Sequence, residues 1–149
     1  MECELNYDHM VLLDAEDLAE AGLAEAYGRL LVLLREYVPE PDVLEEAVDD
    51  DAPSYVVAHR GVEYVIFGPG LEDDAGKSWG RATHAFFAIV NAQLAGSDHQ
   101  FYAINGGNDL GGLFLTTAEA DAAKRSLPRK SDWPYIPTQE HPWYGQHHD

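Results

Sequence analysis

Tyr55-Val56-Val57-Ala58-His59-Arg60-Gly61-Val62-Glu63-Tyr64-Val65-Ile66-Phe67 is the stretch on which the fold turns. Two runs rich in β-branched and aromatic residues flank Arg60-Gly61, a dipeptide suited to a tight hairpin turn. A second pair of strands follows at Phe101 to Ile104 and Leu113 to Leu115. Its connection, Asn105-Gly106-Gly107-Asn108-Asp109-Leu110-Gly111-Gly112, is rich in the residues that tolerate positive φ. Tyr7 to Leu13 reads as a further strand at the start of the chain.

Helices separate these runs. Asp14 has the chemistry of an N-cap, and Asp17 would lie near the positive end of the helix it starts. Leu23, Ala26, Tyr27, Leu30, Leu34 and Tyr37 follow 3–4 spacing, so this helix is expected to reach Val38, before Pro39 and Pro41. Gly22 and Gly28 are unfavourable within a helix, which predicts irregular early turns. Pro41 to Val48 is expected as a short acidic helix. Ser78 is a candidate cap for a helix whose stripe is Trp79, Ala82, Phe86, Ile89, Val90 and Leu94, ended by Gly96-Ser97. Thr116 and Glu119 stand at capping-box spacing and open a helix ending near Ser126.

The resulting order is strand, helix, short helix, hairpin, helix, hairpin, helix, arm. It predicts an α+β fold with a mixed or antiparallel sheet, two hairpins and three to four helices. Residues 1–149 read as one domain, with no repeat or low-complexity linker. Residues 127–149 read as an extended aromatic arm, because Pro128, Pro134, Pro137 and Pro142 interrupt regular structure around Trp133, Tyr135, Trp143 and Tyr144.

Composition narrows the function. The 149 residues are 46% hydrophobic and 11% aromatic, too apolar for a disordered chain. A net charge of −18 opposes direct binding to nucleic acid or to an anionic membrane. Residues 1–51 hold 16 acids against Arg29 and Arg35, whereas the remainder holds 11 acids against seven bases. The acidity is therefore local, which weakens a purely halophilic explanation. Its dense part contains Glu45, Glu46, Asp49, Asp50 and Asp51, and Asp73 and Asp74 form a second group. Cys3 is the one cysteine, which excludes an intrachain disulfide. An acidic start without a signal-peptide layout, and no apolar run of roughly 18 residues, predict a cytoplasmic chain with no membrane span.

No catalytic pattern emerges. Gly70-Leu71-Glu72-Asp73-Asp74-Ala75-Gly76-Lys77-Ser78 resembles a phosphate-binding loop, but it has five residues where four are needed before Gly-Lys-Ser. Its three carboxylates would also repel a nucleotide. His9, His59, His84, His99, His141, His147 and His148 form no metal-binding spacing on an expected helix. Cys3 lies between Glu2 and Glu4, whose charges oppose a thiolate. There is no Gly-x-Ser-x-Gly elbow. The expectation is a protein that is not an enzyme and needs neither cofactor nor metal.

Phe101-Tyr102-Ala103-Ile104-Asn105-Gly106-Gly107-Asn108-Asp109-Leu110-Gly111-Gly112-Leu113-Phe114-Leu115-Thr116 resembles a segment of bacterial polymorphic-toxin immunity proteins. The likeness extends to Leu127-Pro128-Arg129-Lys130-Ser131-Asp132-Trp133-Pro134-Tyr135 and to the preceding helix, Ala85-Phe86-Phe87-Ala88-Ile89-Val90-Asn91. It covers roughly the last half to two thirds of the chain. It implies a cytoplasmic antidote that binds one cognate toxin domain and performs no chemistry itself. The negative charge suits a basic, nuclease-type toxin, whose phosphate-gripping Arg and Lys would meet carboxylates. The expected contacts are Glu45, Glu46, Asp49, Asp50, Asp51, Asp73, Asp74, Asn108 and Asp109. Alternatives are a DNA-mimic inhibitor using the same carboxylates, a halophilic domain, and an enzyme combining the Gly-rich loop with His84 or His99.

Overall fold

The computed structural model describes residues 10–49, 51, 53–68, 75–105, 107–129 and 133–137. Its elements, in chain order, are β1 (Val11–Leu12), α1 (Ala15–Asp17), a π-helical turn (Leu18–Gly22), α2 (Leu23–Leu34), β2 (Glu45–Asp49), β3 (Ser54–His59) and β4 (Val62–Phe67). They continue with α3 (Ala75–Gln93), β5 (His99–Ile104), a 3-10 turn (Gly107–Asp109), β6 (Gly111–Thr116) and α4 (Thr117–Ser126). The fold is α+β, with two antiparallel three-stranded sheets ordered β1-β6-β5 and β2-β3-β4.

Both expected hairpins form. Arg60 and Gly61 take φ values of 53° and 79°, the pair of positive angles that a type I′ turn requires. The β3–β4 register shifts between Tyr55 and Val56: Tyr55 faces Phe67 while Val56 faces Val65. Ile66 is left as the additional residue of β4, and it enters the core.

Helix α3 is the central element. It packs against β4 of one sheet and β5 of the other, and also contacts α2 and the π-helical turn. This explains why its apolar surface is wider than one stripe: Ala82, Ala85, Phe86, Phe87, Ile89, Val90 and Leu94 are all buried. Phe87 stacks on Phe101 of β5 with centroids 4.8 Å apart, and Phe101 meets Phe114 of β6 at 4.7 Å. Residues alternate along β5 and β6. Phe101, Ala103 and Phe114 join the main core, while Tyr102, Ile104, Leu113 and Leu115 turn to the other face and meet Ala120 and Ala123 of α4. The β1-β6-β5 sheet is thus covered on both faces.

The expected continuous helix from Asp14 to Val38 is broken. Asp14 does cap it, accepting from the Glu16 amide at 3.0 Å. However, Glu20 and Ala21 leave helical geometry, with Ala21 at φ 65°. The chain closes so tightly here that a Cβ at Gly22 would lie 2.4 Å from the Asp17 carbonyl oxygen. The irregular early turns expected from Gly22 are therefore present, and α2 stops at Leu34.

The acidic helix expected over Pro41 to Val48 is not formed. Glu45–Asp49 is instead the edge strand β2, registered from Glu45 opposite Ala58 to Asp49 opposite Ser54. A helix would place Asp42 and Glu46 four residues apart on one face, and like charges at that spacing repel. Ser78 does not cap α3, which begins at Ala75; Ser78 lies inside the helix and is buried.

Thr116 and Glu119 form the expected capping box, with bonds of 3.1 and 2.9 Å, and α4 ends at Ser126. Beyond it, Tyr135 exchanges backbone hydrogen bonds with Ala103 at 2.7 and 3.0 Å. Its hydroxyl donates to the Asn105 carbonyl at 2.7 Å, and the Trp133 indole donates to the Leu127 carbonyl at 3.0 Å. The expectations for Tyr7 to His9, the Gly70 to Asp74 loop, Trp143, Tyr144 and the terminal histidines fall outside the described residues.

Candidate functional site

The alternation of β3 decides which side chains of the β2-β3-β4 sheet are offered outward. Tyr55, Val57 and His59 are buried on the inner face, so Val56 and Ala58 point to the outer one. The register then sets Glu45 beside Ala58 and Ala58 beside Glu63 in one cross-strand row. Ala47, Val56 and Val65 make the next row, and Asp49 lies opposite Ser54 at the end of β2. Glu45, Glu63 and Asp49 are exposed, and Val65 is 43% exposed. The outer face is a small apolar strip with carboxylates along its margins. Among the described residues, no base forms an ion pair with Glu45 or Glu63.

Glu46 differs, because it belongs to the inner side. Tyr55 donates its hydroxyl hydrogen to Glu46 Oε2 and accepts from the buried Leu23 amide at 3.2 Å. Burial first, and then the Glu46 carboxylate, hold the Tyr55 phenol far above its ordinary range, so the hydroxyl stays a donor. Glu46 therefore anchors the edge strand to the core. The Asp51 amide donates to Asp49 Oδ1 at 2.9 Å, which shapes the turn after β2.

Asn108 and Asp109 are not brought to this face. They lie in the 3-10 turn before β6, in the other sheet. The Asn108 amide donates to Asp14 Oδ1 at 3.0 Å and to Glu16 Oε1 at 3.4 Å, tying that turn to α1. Asp109 is exposed there. Asp50, Asp73 and Asp74 fall outside the described residues. The Gly-rich loop is also shorter than expected, because Gly111 and Gly112 belong to β6. Asn105 takes φ 58°, as its position in the loop suggested. A Cβ on Gly112 would meet the Phe101 ring at 2.2 Å, so this glycine is needed for packing.

His99 is set apart from the Gly-rich loop. His99 opens β5, whereas the Gly-rich loop leaves its far end, about 17 Å away along six extended residues. His99 Nδ1 bonds Asp98 Oδ1 at 2.7 Å, and Asp98 immediately precedes the strand. His84 lies on α3, its Nδ1 buried without a hydrogen-bond partner. Burial lowers its pKa, against a hydrogen bond with the Pro137 backbone.

One constellation had no sequence signal. Asp42 Oδ2 receives Arg60 Nε at 2.6 Å and bonds His59 Nε2 at 2.8 Å. The Asp42 amide donates to Gln93 Oε1 at 2.8 Å, and Tyr27 donates to the Asp42 carbonyl at 2.7 Å. Arg60 Nη1 reaches the Ala92 carbonyl at 3.3 Å. The His59 hydrogen bond, with help from Arg60, holds the Asp42 carboxyl below the usual carboxylate range. Five residues from α2, the β3–β4 hairpin, α3 and the segment before β2 thus meet at one carboxylate and its peptide group. The arrangement is a lock on the entry to β2, with the charge already engaged.

No helix among the described residues is long and apolar enough to cross a membrane. Among the same residues, no group of three or more His, Cys, Asp or Glu side chains is placed to hold a metal ion. No family model, curated protein or solved structure matches the chain.

Proposed function

We propose that this chain is an immunity protein, an antidote that binds a cognate toxin domain through the outer face and edge of β2. The observation that supports this most strongly is the placement of β2. It is an edge strand exposed at all five residues, with Glu45 and Asp49 turned outward beside the apolar row Ala47, Val56 and Val65. A small apolar strip within a charged margin is the layout of a protein interface. Its charge suits a basic partner, with a nuclease-type toxin the target class in which Arg and Lys are already arranged for phosphate. Glu46 serves this surface indirectly, through Tyr55.

The test is titration with the C-terminal domain encoded by the adjacent upstream gene, at about 50 mM and about 500 mM salt, conditions that differ strongly in screening. Tight binding that weakens with salt, and is lost in Glu45→Lys/Glu63→Lys, supports the reading. No binding at either salt rejects that neighbour as the partner. Binding to several unrelated DNA-binding proteins would identify a DNA mimic instead.

A further inference from the structure

The ends of α2 and α3 lead into one open groove of about 590 Å³, with no residue of β2 in its lining. Glu36 and Tyr37 follow α2, while Ser97, Asp98 and His99 follow α3; Gln93, the last residue of α3, forms part of the wall. Its volume lies within the range of small-ligand sites.

Three independent features give this groove a sign. First, two helix C-termini converge on it, and neither α2 nor α3 has a basic residue in its last turn. Such ends carry partial negative charge and favour cations. Secondly, the lining contains the carboxylates of Glu36 and Asp98 but no Lys or Arg. Of the nearby bases, Arg60 is held by Asp42 and the Ala92 carbonyl, and Arg35, the exposed C-cap of α2, is not part of the lining. Thirdly, the wall carries an aromatic stack. Tyr37 lies 4.8 Å from His99 and 4.7 Å from Phe114, centroid to centroid. Burial raises the Tyr37 phenol pKa, and Glu36, Glu119 and Asp98 raise it further, so the negative field is felt at the ring.

We infer that this groove binds a planar cation of the guanidinium type, held between the Glu36 and Asp98 carboxylates against the Tyr37–His99 wall. A guanidinium fits better than an ammonium because its flat face stacks on aromatic rings while its edge donates to carboxylates and carbonyls. Gln93 joins the groove to the Asp42 lock, since the same side chain accepts from the Asp42 amide. The site is separate from the outer face of β2 and stands or falls independently of the proposed toxin.

Agmatine is a suitable probe, followed by NMR and calorimetry on the whole chain. Agmatine is expected to shift the His99 ring resonances and the Gly96 and Ser97 amides, and to bind more tightly than putrescine, which matches its double charge but has an ammonium in place of the guanidinium. Glu36→Gln/Asp98→Asn should weaken binding at least about tenfold, the scale of one lost charged contact. Glu45→Gln/Glu63→Gln, on the other sheet face, should leave it unchanged. Equal weakening by both double variants would mean diffuse counterion binding and overturn the proposal. So would the absence of any shift at His99. An acetylated and amidated arginine, compared with n-butylguanidinium of the same single charge, separates the sources: tighter binding than n-butylguanidinium assigns the cation to a partner protein's side chain, and weaker binding assigns it to a free small molecule.

Discussion

Asp42→Ala removes the carboxylate on which the entry to β2 depends. The side chain of His59 is only 2% exposed, so losing Asp42 Oδ2 strands a buried imidazole nitrogen, at a cost of about 1–3 kcal/mol. The Arg60 contact adds little, about 0.2–1 kcal/mol, because Arg60 is 53% exposed and water screens the pair. The Gln93 and Tyr27 bonds use the Asp42 backbone and survive the change. The sum is a destabilisation of about 1–4 kcal/mol, which urea denaturation would read as a lower midpoint with an unchanged slope. Asp42→Asn, which keeps the shape, should cost less. The effect must also depend on pH. The Asp42 carboxyl titrates lower in the folded protein than in the unfolded chain, so its stabilisation is complete above the unfolded value, near 4, and fades as pH falls through the folded value. The difference between wild type and Asp42→Asn should therefore shrink below about pH 4. A loss under about 0.5 kcal/mol for Asp42→Ala at neutral pH would refute the lock, since that is the range of ordinary surface substitutions.

Other changes test other parts of the molecule. Gly112→Ala should cost about 1–3 kcal/mol or more by driving a methyl into the Phe101 ring, seen as a lower Tm. Tyr55→Phe leaves the buried Leu23 amide without its acceptor and releases Glu46; about 1–3 kcal/mol should be lost in chemical denaturation, with faster amide exchange in β2. Thr116→Ala removes one half of the capping box and should cost about 0.5–2 kcal/mol, measurable by thermal unfolding. Glu45→Lys/Glu63→Lys should keep stability within about 0.5 kcal/mol while abolishing binding to a basic toxin partner; a fully retained affinity removes this face from the interface.

What was legible in the chain was local. The Arg60-Gly61 turn, the Thr116–Glu119 box and the 3–4 stripe of α3 each lie within a few residues, and each is present in the fold. The strand character of Glu45–Asp49 was hidden because an edge strand exposed on both sides needs no alternation of apolar and polar residues. Its pairing with β3 supplies the structure, and pairing is not written in the strand itself. The site divided in the same way. Glu45 and Asp49 could be picked out by charge alone, but charge could not separate them from Glu46, which turns toward Tyr55, or from Asn108, which serves α1. The Asp42 lock joins residues 17, 18 and 51 positions apart, so no spacing rule reaches it.

The contact between Phe101 and Gly112 carries a consequence for ancestry. These two residues share one volume: with the Phe101 ring in place there is no room for even a methyl group at 112. Evolution can therefore enlarge position 112 only after, or together with, shrinking position 101. A distant descendant of this fold that has lost every surface carboxylate should still show that paired exchange. The inverse relation between these two side chains is a sturdier mark of kinship than the acidic run that first draws the eye.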